Sequence, residues 1–167
     1  DITAQLFGSD LEAETVSGAL DIRGSGLPTV VDLRTVRGNI EIDGVSGELE
    51  AGTVSGRIEV DADVLDRARL GTTSGRITLE GGLASAGRSD LSTTSGRISV
   101  MLDHDADLDV DAQSFSGKIE NCFGAESSRN GYSPERSLRF RNGEGKRTVR
   151  RRSWSGSINL CADTLSD

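Results

Sequence analysis

Apolar residues recur at fixed offsets from a glycine that itself returns about every 20 residues, at Gly18, Gly38, Gly56, Gly75, Gly96, Gly117 and Gly156. Two places after it stand Leu20, Ile40, Ile58, Ile77, Ile98, Ile119 and Ile158; four places after it stand Ile22, Ile42, Val60, Leu79, Val100, Asn121 and Leu160. Five places before it stand Ala13, Leu33, Ala51, Leu70, Leu91, Ala112 and Arg151. The column seven before is looser, with Leu11, Val31, Leu49, Ala68, Ser89, Val110 and Val149. Two before the glycine come Val16, Val36, Val54, Thr73, Thr94, Phe115 and Trp154. Polar residues such as Arg57, Glu59, Arg76 and Thr78 separate these columns, which is the period-two alternation of a strand with one wet face. All five columns are expected to face inward. No stretch carries the 3.6-residue period of an amphipathic helix.

The passage GNIEIDGVSGELEAGTVSGRIEV, residues 38–60, shows how the repeat works. One such segment cannot bury its apolar row alone. Stacked in register at about 4.8 Å, successive segments build a continuous core and pair each backbone with the coil above and below. A repeat near 20 residues is the signature of a solenoid. The chain is therefore expected to be one all-β domain over residues 1–167, a right-handed parallel β-helix of about seven coils, its hand following the general crossover rule. The recurring glycine marks a corner, where positive φ or a close backbone approach excludes a side chain.

The last interval, from Gly117 to Gly156, is about twice the others. It has room for one coil and an insertion of about 20 residues, placed at 124–146 and rich in turn formers. The insertion is read as containing a hairpin, with Leu138 and Phe140 alternating away from an RNGEGK turn. Residues 147–162 then form a closing coil. Arg151 in an inward column implies that the barrel is capped or frays there.

Charge adds an asymmetry. The net charge is −8, from 27 acidic and 19 basic residues, which disfavours nucleic acid as a partner of the whole surface. Nine of the 19 cations lie between Arg129 and Arg152, where Glu135 and Glu144 are the only acids. No apolar run approaches the roughly 20 residues of a membrane span. The chain opens on Asp1 without a leader-like stretch, so any signal peptide is expected to have been removed.

Cys122 and Cys161 each stand five residues after a corner glycine. If residues 124–146 are an insertion, the two coils are neighbours and the Cα separation suits a disulfide, which would indicate an oxidising compartment. If a full extra coil intervenes, the cysteines are out of reach and stay free. Two cysteines without a histidine beside them make a poor zinc site, and no cofactor or metal is expected.

Several clusters have both a chemical and a plain reading. Arg57, Arg76, Arg97 and Lys118 form a basic ladder, but Glu41, Glu59 and Glu120 beside it favour charge pairing on a solvated face. Thr15, Thr35, Thr53, Thr72 and Thr93, continued by Ser114 and Ser153, could form a flat ice-binding array or simply be strand residues. Residues 103–111 (DHDADLDVD) could hold calcium through carboxylates, although no glycine-rich calcium repeat accompanies them. Paired acids could also serve a polysaccharide hydrolase or lyase, yet His104 has no nucleophile beside it and aromatics are few, so no catalytic residues are assigned. The strongest candidate surface is the basic insertion. Arg129, Arg136, Arg139, Arg141, Lys146, Arg147, Arg150, Arg151 and Arg152, with Tyr132, Phe140 and Trp154, suit phosphate or carboxylate groups. The plain reading is that they protect an exposed strand edge.

The segments TVSGRIEV, TTSGRITL, TTSGRISV and SFSGKIENCFG, with the closing SWSGSINLC, resemble a bacterial adhesin-type family of β-strand-repeat proteins of unknown function. The resemblance covers nearly the whole chain. It implies a β-solenoid exported to the cell envelope, and it brings no catalytic residues. Arg37, where the repeat would have serine, and the basic insertion depart from it. The expected role is a non-enzymatic structural and interaction module of the periplasm or cell surface, with an envelope component or another protein as partner. The alternatives are binding of an anionic envelope polymer or lipid head group by the basic insertion, head-to-tail self-association, and a polysaccharide-active enzyme.

Overall fold

The computed structural model describes residues 1–103, 107–129 and 134–163. His104 and Tyr132 lie outside the described residues, as does Asp105. The described chain is all-β and contains no helix, and its strands join in one long sheet. Strands β1 (Ile2–Gln5), β2 (Leu11–Ser17), β3 (Leu20–Arg23) and β4 (Pro28–Arg37) lead into β5, which runs unbroken over Ile40–Asp103. Fully extended, 64 residues would reach roughly 200 Å. Instead β5 winds round a core: its residues 40–43 pair in parallel with β3, and its residues 46–55 with β4.

The corner glycines set how closely the turns stack. A Cβ on Gly96 would sit 1.7 Å from the carbonyl oxygen of Gly75, and one on Gly75 would sit 1.8 Å from that of Gly56. No side chain fits such a gap, so the corners stack backbone on backbone. Inward columns two and four after the corner are buried except at the half-buried Asn121, with Ile58, Ile77, Ile98 and Ile158 wholly so.

The remaining strands are β6 (Leu108–Ser114), β7 (Ile119–Asn121), β8 (Ser128–Arg129), β9 (Arg136–Asn142), β10 (Arg147–Ser155) and β11 (Ile158–Asp163). Their order in space differs from their order in sequence. β10 pairs in parallel with residues 88–95 of β5 on one side and with β6 on the other. β11 likewise lies between residues 98–103 of β5 and β7. The closing coil therefore does not close the stack. It fills a slot between two coils laid down earlier, with Gly156 against the Gly96 oxygen and Gly117 against the Gly156 oxygen.

The inserted segment forms the end instead. β9 pairs antiparallel with the outer edge of β6, and the short β8 pairs antiparallel with β9. Leu138 is wholly buried beneath this cap, and Phe140 packs against the core and lies 5.2 Å from the ring of Phe123. The RNGEGK turn carries the chain from β9 past β6 to β10, so its flanking strands are not hairpin partners. The hairpin belongs to β8 and β9.

One inward and one outward assignment are corrected. Val16, Val36, Val54, Phe115 and Trp154, two before the corner, point outward and are exposed. The threonines three before it, Thr35, Thr53, Thr72 and Thr93, are buried with Ser114 and Ser153, so they cannot present an ice-binding face. Alternation explains both. Positions seven and five before the glycine face the core, so position three must face it too.

Candidate functional site

The cations of the insertion do not gather into one patch. Antiparallel register sets Arg141 opposite Asp109 and Arg139 opposite Asp111, and each pair closes at 3.2 Å. Lys146 pairs with Glu144, and Nε of Arg147 donates to the Ala84 carbonyl at 3.2 Å. Arg136 is half-buried on β9, and the side chain of Arg129 lies outside the described residues. Arg151 is wholly buried. Arg150 and Arg152 alone of this set are exposed with no hydrogen-bond or ion-pair partner for the guanidinium among the described residues. The acids read as a calcium run are thus tied to the cap: Asp109 and Asp111 by arginines, and Asp107 by accepting from the Glu144 amide. Among the described residues, no cluster of three metal-ligating side chains occurs.

Arg151 occupies the core column between Leu91 and Ala112. Its Nη1 donates to the carbonyls of Ser89 at 3.0 Å and Arg150 at 2.8 Å, while Nε and Nη2 have no partner. Burial pulls its pKa well down from the ordinary arginine value, to about 9, against the opposing pull of Asp90. It is a structural group, closed off from any ligand on the surface.

Arg150 and Arg152 open instead onto a feature the alternation of the chain creates. On the outward face of the sheet, the exposed column two before each corner forms a ridge: Val36, Val54, Thr73, Thr94, then Trp154 and Phe115 in spatial order. A second ridge, six before the corner, carries charges that include Glu50, Arg69, Asp90 and Arg150. Between them, four before the corner, run Gly52, Gly71, Ser92 and Arg152. The result is a trough. A depression of about 540 Å³ over Gly52, Gly71 and Ser92 continues through Ser92 into one of about 550 Å³ beside Trp154 and Phe115. A branch of about 290 Å³ runs between Arg69, Asp90, Arg150 and Arg152.

The floor is not dictated by the fold. A Cβ on Gly52 would meet nothing within 4 Å, and one on Gly71 would meet only the Ser92 hydroxyl at 3.6 Å. Neither glycine has positive φ. Glycine inside a strand weakens it, and one use of such a glycine is to let a ligand or another backbone approach closely. At the far end the rings of Trp154 and Phe115 stack with centroids 4.5 Å apart and planes 10° apart. Trp154, the only tryptophan of the chain, is 62% exposed. Reading the chain by apolarity alone hid this face, because valines, an aromatic pair and a tryptophan look like core. The glycines at 52 and 71, off the corner register, were the available signal.

Residues 2–86, just over half of the chain, match the family model Toastrack DUF4097. The chain belongs to this family. Toastrack DUF4097 is an uncharacterised family with a β-solenoid-like fold, in agreement with the stacked winding described above. Neither the curated proteins nor the solved structures contain a match to the chain. Within this Toastrack chain the matched part includes Gly52 and Gly71. Trp154, Phe115, Arg150, Arg152 and the disulfide between Cys122 and Cys161, whose Cα atoms are 4.8 Å apart, lie beyond it.

Proposed function

We infer that this protein is a non-enzymatic interaction module of the bacterial cell envelope, adhesin-like in the sense that it holds a partner on its flank. The observation that carries this reading is the open trough along the outward sheet face, lined by glycines that the fold does not need. Supporting it, the carboxylates nearest the basic segment are engaged by arginines and a backbone amide, which leaves them serving the cap and not a reaction. The disulfide supports an oxidising compartment, and so export to the periplasm or cell surface. The anion-binding alternative narrows to Arg150 and Arg152. Head-to-tail stacking through the C-terminal end has less to recommend it, since antiparallel β9 occupies the edge of β6 that a parallel copy would need.

Cosedimentation of the purified protein with deproteinised bacterial envelopes tests the reading, alongside an assay for newly formed reducing ends. Retention that is lost when the trough is filled by Gly71→Leu, with no depolymerisation, is the expected result. Retention indifferent to that substitution, or release of sugar fragments, would overturn it.

A further inference from the structure

We propose that the trough binds a linear polysaccharide bearing carboxylates, a sugar ring packed on the open side of the Trp154–Phe115 stack and its acid groups held by Arg152 and Arg150. This deepens the interaction-module reading and rests on it.

Three observations select this ligand class. First, the site repeats. Coils stack at about 4.8 Å, so from Gly52 to Phe115 the trough offers positions at a constant step over roughly 20 Å, floored in turn by Gly52, Gly71, Ser92, Arg152 and Gln113. A pyranose unit advances an extended chain by a distance close to one step, and a periodic site is matched by a periodic polymer. Protein partners are not periodic in this way, and their interfaces have a broad apolar centre depleted in charge. Here the apolar ridge is one residue wide, interrupted by Thr73 and Thr94, and faces a charged ridge across the floor.

Second, the aromatic end is built for a flat ring. Trp154 and Phe115, on adjacent coils, lie parallel and stacked, so each covers part of one face of the other, yet they remain 62% and 39% open to solvent. The C–H faces of pyranoses pack on such surfaces, and burying even part of this area supplies the apolar contribution that a hydrated sugar chain otherwise lacks.

Third, the free cations sit where the polymer would pass. Arg152 is flanked in register by Ser92 and Gln113, neither of them acidic, and its guanidinium has no partner among the described residues. Arg150 follows two residues away on the same face of β10, set in register between Asp90 and Asp111, so Arg152 is the stronger anchor of the two. Guanidinium forks match carboxylates in two parallel hydrogen bonds. Ser92 and Gln113 beside Arg152 add donors for hydroxyl groups.

The test uses the disulfide-bonded protein and its single tryptophan as the reporter. Oligogalacturonate is titrated while Trp154 emission is followed, with malto-oligosaccharide as the neutral control and polyphosphate as the non-sugar anion. A saturable change with oligogalacturonate, weak or absent with both controls, is expected. Arg152→Gln, a substitution on an exposed side chain, should raise the Kd about tenfold, a loss of about 1.4 kcal/mol, and Gly71→Leu should abolish binding. Should Gly71→Leu fail to fold by circular dichroism, Ser92→Leu fills the same floor. An equal response to polyphosphate would reduce the site to charge attraction and overturn the sugar assignment. No response to oligogalacturonate, with trough-dependent envelope retention intact, would overturn the ligand class while leaving the interaction module standing. Loss of both would end both readings.

Discussion

Replacing Arg151 by methionine should make the protein more stable. The guanidinium is 0% exposed, and two of its nitrogens have no partner. Its folded-state pKa of about 9 lies well below that of an exposed arginine. For a base, that displacement means the charged form is disfavoured by folding. Below pH 9 the group is charged in both states and the folded state carries the whole penalty, on the order of 5 kcal/mol at about 1.4 kcal/mol per pKa unit. Arg151→Met keeps an unbranched stem of similar reach and removes the charge, but it forfeits the donation to the Ser89 and Arg150 carbonyls. The net gain expected is about 2–4 kcal/mol, in line with what buried charges release when replaced by apolar groups. Urea denaturation with the disulfide intact is the assay. With a slope of about 1–3 kcal/mol per molar, the midpoint should rise by roughly 1–2 M. A second arm fixes the cause. Above pH 9 the folded protein releases the proton before the unfolded chain does, so the stability of the natural sequence rises by about 1 kcal/mol per pH unit and the advantage of the variant shrinks accordingly. A midpoint that falls, or an advantage that stays constant from about pH 7 to 10, would refute the reasoning.

Four other outcomes follow from the structure. Cys122→Ser should cost about 4 kcal/mol on the chain-entropy model, from a loop closed over a separation of 39 residues, read as a lower thermal midpoint; thiols titratable in the denatured natural protein without reductant would contradict the bond. Gly96→Ala should prevent folding, because its Cβ would sit 1.7 Å from the Gly75 oxygen. Gly52→Ala should raise stability by about 0.5–1 kcal/mol, since its Cβ meets nothing and the unfolded chain loses freedom, and the pair measured by circular dichroism melting separates required from spare glycines. Thr93→Val should be neutral or stabilising by about 1 kcal/mol, because its buried hydroxyl has no partner; a loss above that would mean the hydroxyl is satisfied.

The winding itself was readable from the chain. Glycines at Gly38, Gly56, Gly75 and Gly96 with apolar residues two and four places on specify both a corner and an inward row, and these are local properties. So was the column shared by Cys122 and Cys161, which the disulfide joins. The face of a strand is legible only if its parity is followed throughout. Taking Val36 and Val54 for core broke parity with Leu33 and Thr35 and concealed the trough. The order of the last coils is a longer-range matter. Each coil has a suitable apolar row, so any stacking order satisfies the rows equally. The bond that marks the observed order runs from Arg151, the one charge in its column, to the backbone carbonyl of Ser89, a group every residue carries and no side-chain pattern announces. The two meet only if the coil carrying Arg151 lies directly on that of Ser89. The dispersal of the basic segment was hidden for the same reason, since Arg139 and Arg141 find Asp111 and Asp109 only through the antiparallel cap.

The slot taken by β10 and β11 sets an order of events during assembly. A solenoid emerging from its N-terminus can add each coil to the one before as it appears, but this chain must leave a vacancy beside residues 88–103. Residues 108–121 have no parallel neighbour on that side until residues 147–163 arrive. At about 5–20 residues per second, that interval lasts on the order of seconds. Through it, two strand edges stand open to other nascent chains, and cysteine oxidation has no correct partner to find. The last coil is the keystone of the C-terminal third, and truncations there should show as aggregation in the newly made protein more than as fraying of the finished one.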